Sequence, residues 1–456
     1  VTTARAGRPA SSAREAAFAV LTRAEAADAF VSILLFHTLE HSALSQPDRA
    51  LATAIVLGVL RHRERVDYVL RHYLTRPLDD LPVAIRTILR MGAYQILDLD
   101  RVPPAAATSE AVNLARRYGH VGTARLVNAV LRRLAAGGPP LLPDAADDPT
   151  GYLVVRYSHP RWLIERWIAR WGRDEAEALA AANTRPAPSV LRANTLRTAR
   201  DQLLEILRAH ELTAEPGLVP DAVRVHGSLT ERLPAIDQGL CVPQDEAAML
   251  VSHAVAPGAG QTVIDVCAAP GGKTTHLAAL MGDQGRVIAC DAHARKLEAL
   301  AERAARLGAT CVEAHHLDAR EVGRKWPGGA DAVLVDAPCS GLGTIRRRPE
   351  IKWRAAGRDL ARHAAAQRAI VDGAAGAVRP GGVLVYSVCS LEPEEGPGVA
   401  ASFLAAHRAF ERAPLPPRFP RIINDCPVDE LGVGEVRLWP HRHDTDGFYL
   451  ARFRRR

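Results

Sequence analysis

The spacing of apolar residues along the chain changes twice. From about Ser12 to Leu134 they recur at i, i+3, i+4 and i+7, the signature of helices with one buried face. Val66, Val69, Leu70 and Tyr73 form one such set, and Ile85, Ile88, Leu89 and Gly92 another. Ser45-Gln46-Pro47-Asp48 reads as a helix start, with a capping acid at the third position and proline in the first turn. No β-like alternation interrupts this region, so an all-helical domain over residues 1–136 is predicted. The Pro/Gly-rich run from Gly137 to Pro149 then predicts a linker over 137–150.

Residues 151–240 mix the two periods. PRWLIERWIARWG predicts a helix carrying Trp162, Ile164, Trp167, Ile168 and Trp171. Extended VLRAN (Val190 to Asn194), the helix DQLLEILRAH and extended AVRVHG (Ala222 to Gly227) follow, which together make a small α+β domain. The Trp stripe admits stacking on bases, but its helical spacing favours a core or contact role. Over 241–456 strands and helices alternate. Strands are predicted at Thr262–Val266, Arg286–Cys290, near Cys311–Ala314, at Asp331–Val335 and at Val383–Val388, with helices around Lys273–Leu280, Arg295–Leu307 and Leu360–Ala377. This alternation predicts a parallel, doubly wound α/β sheet, which binds ligands beyond the carboxyl ends of its strands.

Composition narrows the picture modestly. A length of 456 residues suits two or three domains. A formal charge of +7 favours a polyanionic partner, although an Arg- and Ala-rich chain from a GC-rich genome carries that bias without function. Only four lysines occur, and Lys273 stands inside a glycine turn. The seven cysteines (Cys241, Cys267, Cys290, Cys311, Cys339, Cys389 and Cys426) are odd in number and contain no C-x-x-C pair. That speaks against a disulfide framework or a zinc site and for a reducing compartment. Nothing resembles a secretory signal, and no apolar run approaches the roughly 20 residues that span a bilayer. The expectation is a soluble cytoplasmic protein.

Candidate chemistry gathers at the strand tips. DVCAAPGGKT (Asp265 to Thr274) places Ala269-Pro270-Gly271-Gly272 at a strand-to-helix turn, where backbone can approach a ligand and helix N–H groups are free. It is not a P-loop, because the position five before Gly272 is Cys267. Asp291 closes the second strand, where an acid can accept from ribose hydroxyls. Asp318 follows the third, as an adenine contact or simply a helix cap. Asp336 ends the fourth strand in DAPCSG, with Cys339 beside it, and Cys389 follows the fifth in YSVCS. Cys290 and Cys311 read as inert buried thiols. Arg346, Arg347, Arg348 and Lys352 in RRRPEIKW read either as phosphate contacts or as a solvated charge run.

DVCAAPGGKT, DAPCSG and YSVCS together resemble the RNA cytosine-5 methyltransferases. Across nearly the whole length the likeness is to those acting on small-subunit ribosomal RNA; it extends through DRALATAIVLGVLRHRERVDYVL, RMGAYQILDLDRVP, LVNAVLRRL, LRANTLR, VPQDEAAML and TDGFYLARFRR. The resemblance implies a NusB-like helical RNA-binding domain and a Rossmann-like methyltransferase domain that binds S-adenosyl-L-methionine (SAM). It implies SAM contacts from Cys267, Ala268, Ala269, Pro270, Gly271, Gly272 and Lys273, with Asp291, Asp318 and Asp336. It further implies Cys389 as nucleophile, Asp336 as support for the ring nitrogen, and Cys339 as the group assisting release. Val388 stands where the family usually has Thr.

The implied activity is methylation of carbon 5 of an unpaired 16S rRNA cytidine through a covalent Cys–C6 bond, by a monomer that needs neither metal nor membrane. Two other readings stand beside it: a tRNA cytosine-5 methyltransferase, and a non-catalytic RNA-binding assembly factor. Intact Asp336, Cys339 and Cys389 argue against the second. A DNA methyltransferase fits less well, because its nucleophile is the cysteine of the Pro-Cys motif and no second cysteine is needed.

Overall fold

The computed structural model describes residues 10–26, 31–227, 233–420, 422–423 and 426–456. The chain forms two compact units, one of residues 1–185 with 348–354, the other of 186–347 with 355–456.

The first unit is helical. Its principal helices run over Ala13–Ala26, Val31–Glu40, Gln46–Arg61, Arg63–Tyr73, Val83–Asp98, Pro104–Tyr118 and Val121–Gly137, followed by three shorter ones between Pro149 and Asn183. Ser45 caps its helix by accepting from the Asp48 N–H and donating to the Asp48 carboxylate. Val66, Val69, Leu70, Ile85, Ile88 and Leu89 all enter one core. Asp67 also faces inward, which apolar spacing does not explain. Both its oxygens accept from the buried Arg90 guanidinium, at 2.7 and 2.8 Å, so charge is neutralised where it is desolvated. Trp167 is buried against the His159 ring, which settles the middle of the Trp stripe as core. Lys352 is buried and donates to the Arg61 carbonyl, while the Trp353 indole donates to Leu60.

This unit is acid-sensitive. Burial, with Arg65, Lys352 and Arg61 nearby, holds His62 down at about 3, and burial pushes His159 well below the usual histidine range. An unfolded chain takes up both protons below about pH 6.5, whereas the folded state refuses them. Stability is therefore complete above pH 6.5 and falls as pH drops toward 3, by up to about 1.4 kcal/mol per pH unit for each histidine. The urea midpoint of the full chain is expected to fall from pH 7 to pH 5, and to fall less in His62→Phe, which keeps the ring stacked on Tyr94. Equal slopes in the two proteins would remove His62 from the account.

The second unit is built mainly on two sheets. Strands β1 (Ser189–Ala193), β2 (Ala214–Pro216), β3 (Ala222–Val225) and β4 (Cys241–Pro243) form an antiparallel sheet in the order β2-β3-β1-β4, packed on the helix Arg200–Ala209. The larger sheet contains β5 (Thr262–Asp265), β6 (Arg286–Asp291), β7 (Val312–His316), β8 (Ala330–Asp336) and β9 (Val378–Val388), all parallel, in the order β9-β8-β5-β6-β7. Alternate residues enter opposite cores. Val263, Leu334 and Val385 pack on one face, and Ile264, Val333, Leu384 and Tyr386 on the other.

The sheet is mixed, and to that extent the wholly parallel expectation is corrected. β10 (Phe410–Arg412) precedes a short hairpin, β11 (Ile422–Ile423) with β12 (Cys426–Pro427). β13 (Asp429–Gly432), β14 (Glu435–Leu438) and β15 (Phe448–Arg455) then add antiparallel strands, with β15 directly beside β9. Strand order reverses between β5 and β8, so a crevice opens at the carboxyl ends of these two strands.

Candidate active site

The turn after β5 is built around backbone. Gly271 has φ +95°, a left-handed conformation that suits glycine, and a side-chain carbon there would meet Leu300 at 2.8 Å. At Gly272 an added methyl would meet nothing closer than 3.9 Å, and its nearest neighbour is the Gln244 amide. Neither buried amide atom of Gln244 has a hydrogen-bond partner among the described residues. Open space, free helix N–H groups and an unmatched amide are what an extended polar ligand requires.

The acids are placed along the same edge. Asp291 accepts from the Ala269 N–H at 3.2 Å and the His293 N–H at 2.9 Å, so it braces the glycine turn. Asp318 caps the short turn Ala319–Glu321 and pairs with the Arg320 guanidinium, which holds its carboxyl down at about 2. The helix-cap reading of Asp318 is thus realised, and its oxygens remain half-exposed at the tip of β7. Asp265 is buried, accepts from the Thr274 hydroxyl, and is pushed up to about 7 by desolvation.

Parallel pairing of β8 with β9 sets Asp336 opposite Ser387, and the two loops beyond carry the cysteines. Their sulfurs lie 3.3 Å apart. The Asp336 carboxylate accepts from Lys273 Nζ at 2.7 Å and from the Ser387 hydroxyl at 2.7 Å. Burial opposes the charge on Lys273, yet Asp336 outweighs it and raises the ammonium pKa. The bond to Cys389 and then burial push the Cys339 thiol well above the usual range. Gly343 N–H donates to the Cys389 carbonyl at 3.0 Å, and Gly447 N–H donates to the Gly343 carbonyl at 2.8 Å. A side-chain carbon on Gly343 would sit 1.9 Å from the Gly447 oxygen, so only glycine fits between these loops.

Other sequence readings resolve here. Burial drives Cys290 and Cys311 up to about 12 and Cys267 well above its usual range, which leaves all three inert as nucleophiles. Arg346 pairs with Asp444, and Arg347 with Asp245 and Asp446. With Lys352 also committed internally, the phosphate-binding reading of RRRPEIKW fails for these three side chains. Val388 is fully buried in the apolar core, where a threonine hydroxyl would add polar surface to cover. Gln244, Ser387 and Glu395 are site residues that sequence reasoning did not single out. Gln244 lies in VPQDEAAML, a segment noted only for its likeness to the family.

Residues 252–454 match the family model for the 16S rRNA methyltransferase RsmB/F. The probable ribosomal RNA small subunit methyltransferase B of Bacillus subtilis is 36% identical over 449 residues, covering 98% of this chain and 99% of that one. The ribosomal RNA small subunit methyltransferase B of Thermus thermophilus is 37% identical, with 99% and 98% covered. The chain belongs to the RsmB/F methyltransferase family. The chain also matches the NusB family over residues 11–136 and the ferredoxin-like domain of RsmF/B-like proteins over 159–230. Among solved structures, PH0851 superposes with a TM-score of 0.82 at 26% identity, covering 99% of this chain and 100% of that one. No helix among the described residues is long and apolar enough to cross a membrane.

Proposed function

We propose that the protein transfers the methyl group of SAM to carbon 5 of a cytidine in 16S rRNA, through a transient bond between Cys389 and carbon 6. The observation that carries this reading is the pair of thiols 3.3 Å apart beside the Lys273–Asp336 ion pair. A binding module has no need of such a pair.

SAM, when bound, supplies an electrophilic methyl group. The turn from Cys267 to Lys273 is proposed to hold it, with Asp291 and Asp318 accepting from its hydroxyl and amino groups and the Gln244 amide facing the same space. Cys389 as thiolate adds to C6 while N3 of the base takes a proton. Lys273 Nζ holds that proton at 2.7 Å from Asp336, whose carboxylate can relay it. Carbon 5, now electron-rich, would take the methyl group from the SAM sulfonium, whose sulfur would leave as a neutral thioether. Water takes the C5 proton, with Cys339 assisting; the C5–C6 double bond re-forms, the Cys389 thiolate is expelled, and N3 returns its proton to Asp336. One difficult substitution becomes a series of easier steps. The base must lie outside a stack to reach both sulfurs.

The NusB-like domain favours ribosomal RNA over tRNA as the substrate. Incubating the full chain with SAM and either small-subunit rRNA or tRNA, then digesting to nucleosides for mass spectrometry, tests the reading. The expected product is 5-methylcytidine from the rRNA. Its appearance only in tRNA overturns the substrate, and a methyl group on any other atom overturns the chemistry.

A further inference from the structure

Behind the two thiols lies a carboxylate that the proposed chemistry does not itself use. Glu395 is fully buried, in the turn that follows β9. One of its oxygens accepts from the Ser340 N–H at 2.7 Å and the Gln367 amide at 3.2 Å. The other accepts from the Ser340 hydroxyl at 2.5 Å and the Ser390 hydroxyl at 2.6 Å. Ser340 directly follows Cys339, and Ser390 directly follows Cys389. A single side chain therefore ties together the two loops that carry the sulfurs. The surroundings secure it in turn. Gln367 also donates to the Pro338 carbonyl at 3.0 Å, and the Tyr386 hydroxyl donates to the Glu395 carbonyl at 2.5 Å.

We propose that Glu395 is a positioning residue that clamps Cys339 against Cys389 and makes the two thiols chemically unequal. The proposal rests on the two-cysteine reading given above. All four donors to Glu395 are neutral, so its negative charge is dispersed by hydrogen bonds and not cancelled by a cation. That charge bears on Cys339, whereas the Lys273 ammonium interacts with Cys389. Two sulfurs at 3.3 Å cannot both ionise readily. A carboxylate on one side of the pair and an ammonium on the other make the surroundings of the two sulfurs unequal. Elimination from a tertiary adduct then needs Cys339 held in place, which is the mechanical half of the same device.

The test reads both halves on the full chain. Alkylation by iodoacetamide, followed residue by residue by mass spectrometry, is expected to favour Cys389 over Cys339 by about tenfold or more in the wild type. Glu395→Gln keeps the shape and loses the charge, so it is expected to narrow that preference severalfold. Glu395→Ala is expected to abolish it and to slow adduct release from RNA by roughly 10- to 100-fold. SAM affinity, measured by calorimetry, is expected to stay within about threefold in both variants, which separates positioning from collapse of the site. Ser340→Ala, which deletes one hydroxyl donor, is the milder variant should either Glu395 variant fail to fold. Unchanged thiol preference and unchanged release in variants that bind SAM normally would overturn the proposal. If the wild type makes no 5-methylcytidine in the RNA, the methylation reading fails by itself, and the alkylation comparison still decides the clamp.

Discussion

Cys389→Ala is expected to lose methyl transfer by at least about 10⁴-fold and to form no covalent RNA adduct, because a lost nucleophile is not replaced by binding or orientation. Cys339 is only 3.3 Å away in the wild type, yet with Cys389 gone burial and the Glu395 charge still push its thiol up. It cannot take over. Cys339→Ala is expected to behave differently. Attack and methyl transfer proceed, while loss of the C5 proton, a separate step, is slowed, so a protein–RNA species accumulates. A denaturing gel with labelled RNA separates the cases as a shifted band. An adduct in Cys389→Ala and none in Cys339→Ala would reverse the two roles.

The second large effect concerns the ion pair. Asp336→Asn is expected to lower kcat by about 10²- to 10⁴-fold, the usual worth of a positioned proton donor. Lys273→Met is expected to cost a similar factor, since in the proposed relay Lys273 Nζ, 2.7 Å away, supplies the proton to the carboxylate. The double variant is expected to be little worse than either single one, because each change breaks the same relay. Single-turnover rates at saturating SAM and RNA measure this. Losses that multiply in the double variant would show that the two groups act independently and that no proton passes between them.

Much of this site is legible in the sequence because its groups stand at the ends of strands, where hydrophobic runs stop abruptly. β5, β6, β8 and β9 begin or end within a few residues of the apolar runs that announce them, and Asp291, Asp336, Cys339 and Cys389 follow in the expected order. What could not be read is contact across sequence distance. Glu395 lies in LEPEEGP, which looks like a solvated acidic turn; it is buried because Ser340, 55 residues earlier, supplies two donors. RRRPEIKW looks like a basic face, and only the fold brings Asp245, Asp444 and Asp446 to its arginines. β13 and β14 leave little trace in the apolar pattern because they are four residues each and β13 is largely exposed. Asp67 was silent because an acid on an apolar helix face makes sense only once Arg90 is seen.

The position of β15 carries a consequence for biogenesis. It pairs with β9 from Val383 to Val388, next to Cys389, but emerges from the ribosome roughly sixty residues later. At synthesis rates of about 5–20 residues per second, β9 waits about 3–12 s with an unpaired edge. Until Phe448–Arg455 arrives, that edge is a template for mispairing with other nascent chains, and Gly343 lacks the Gly447 N–H that secures its loop. Translation that stalls within this interval is expected to leave the loop after β9 unsecured and the chain prone to aggregate.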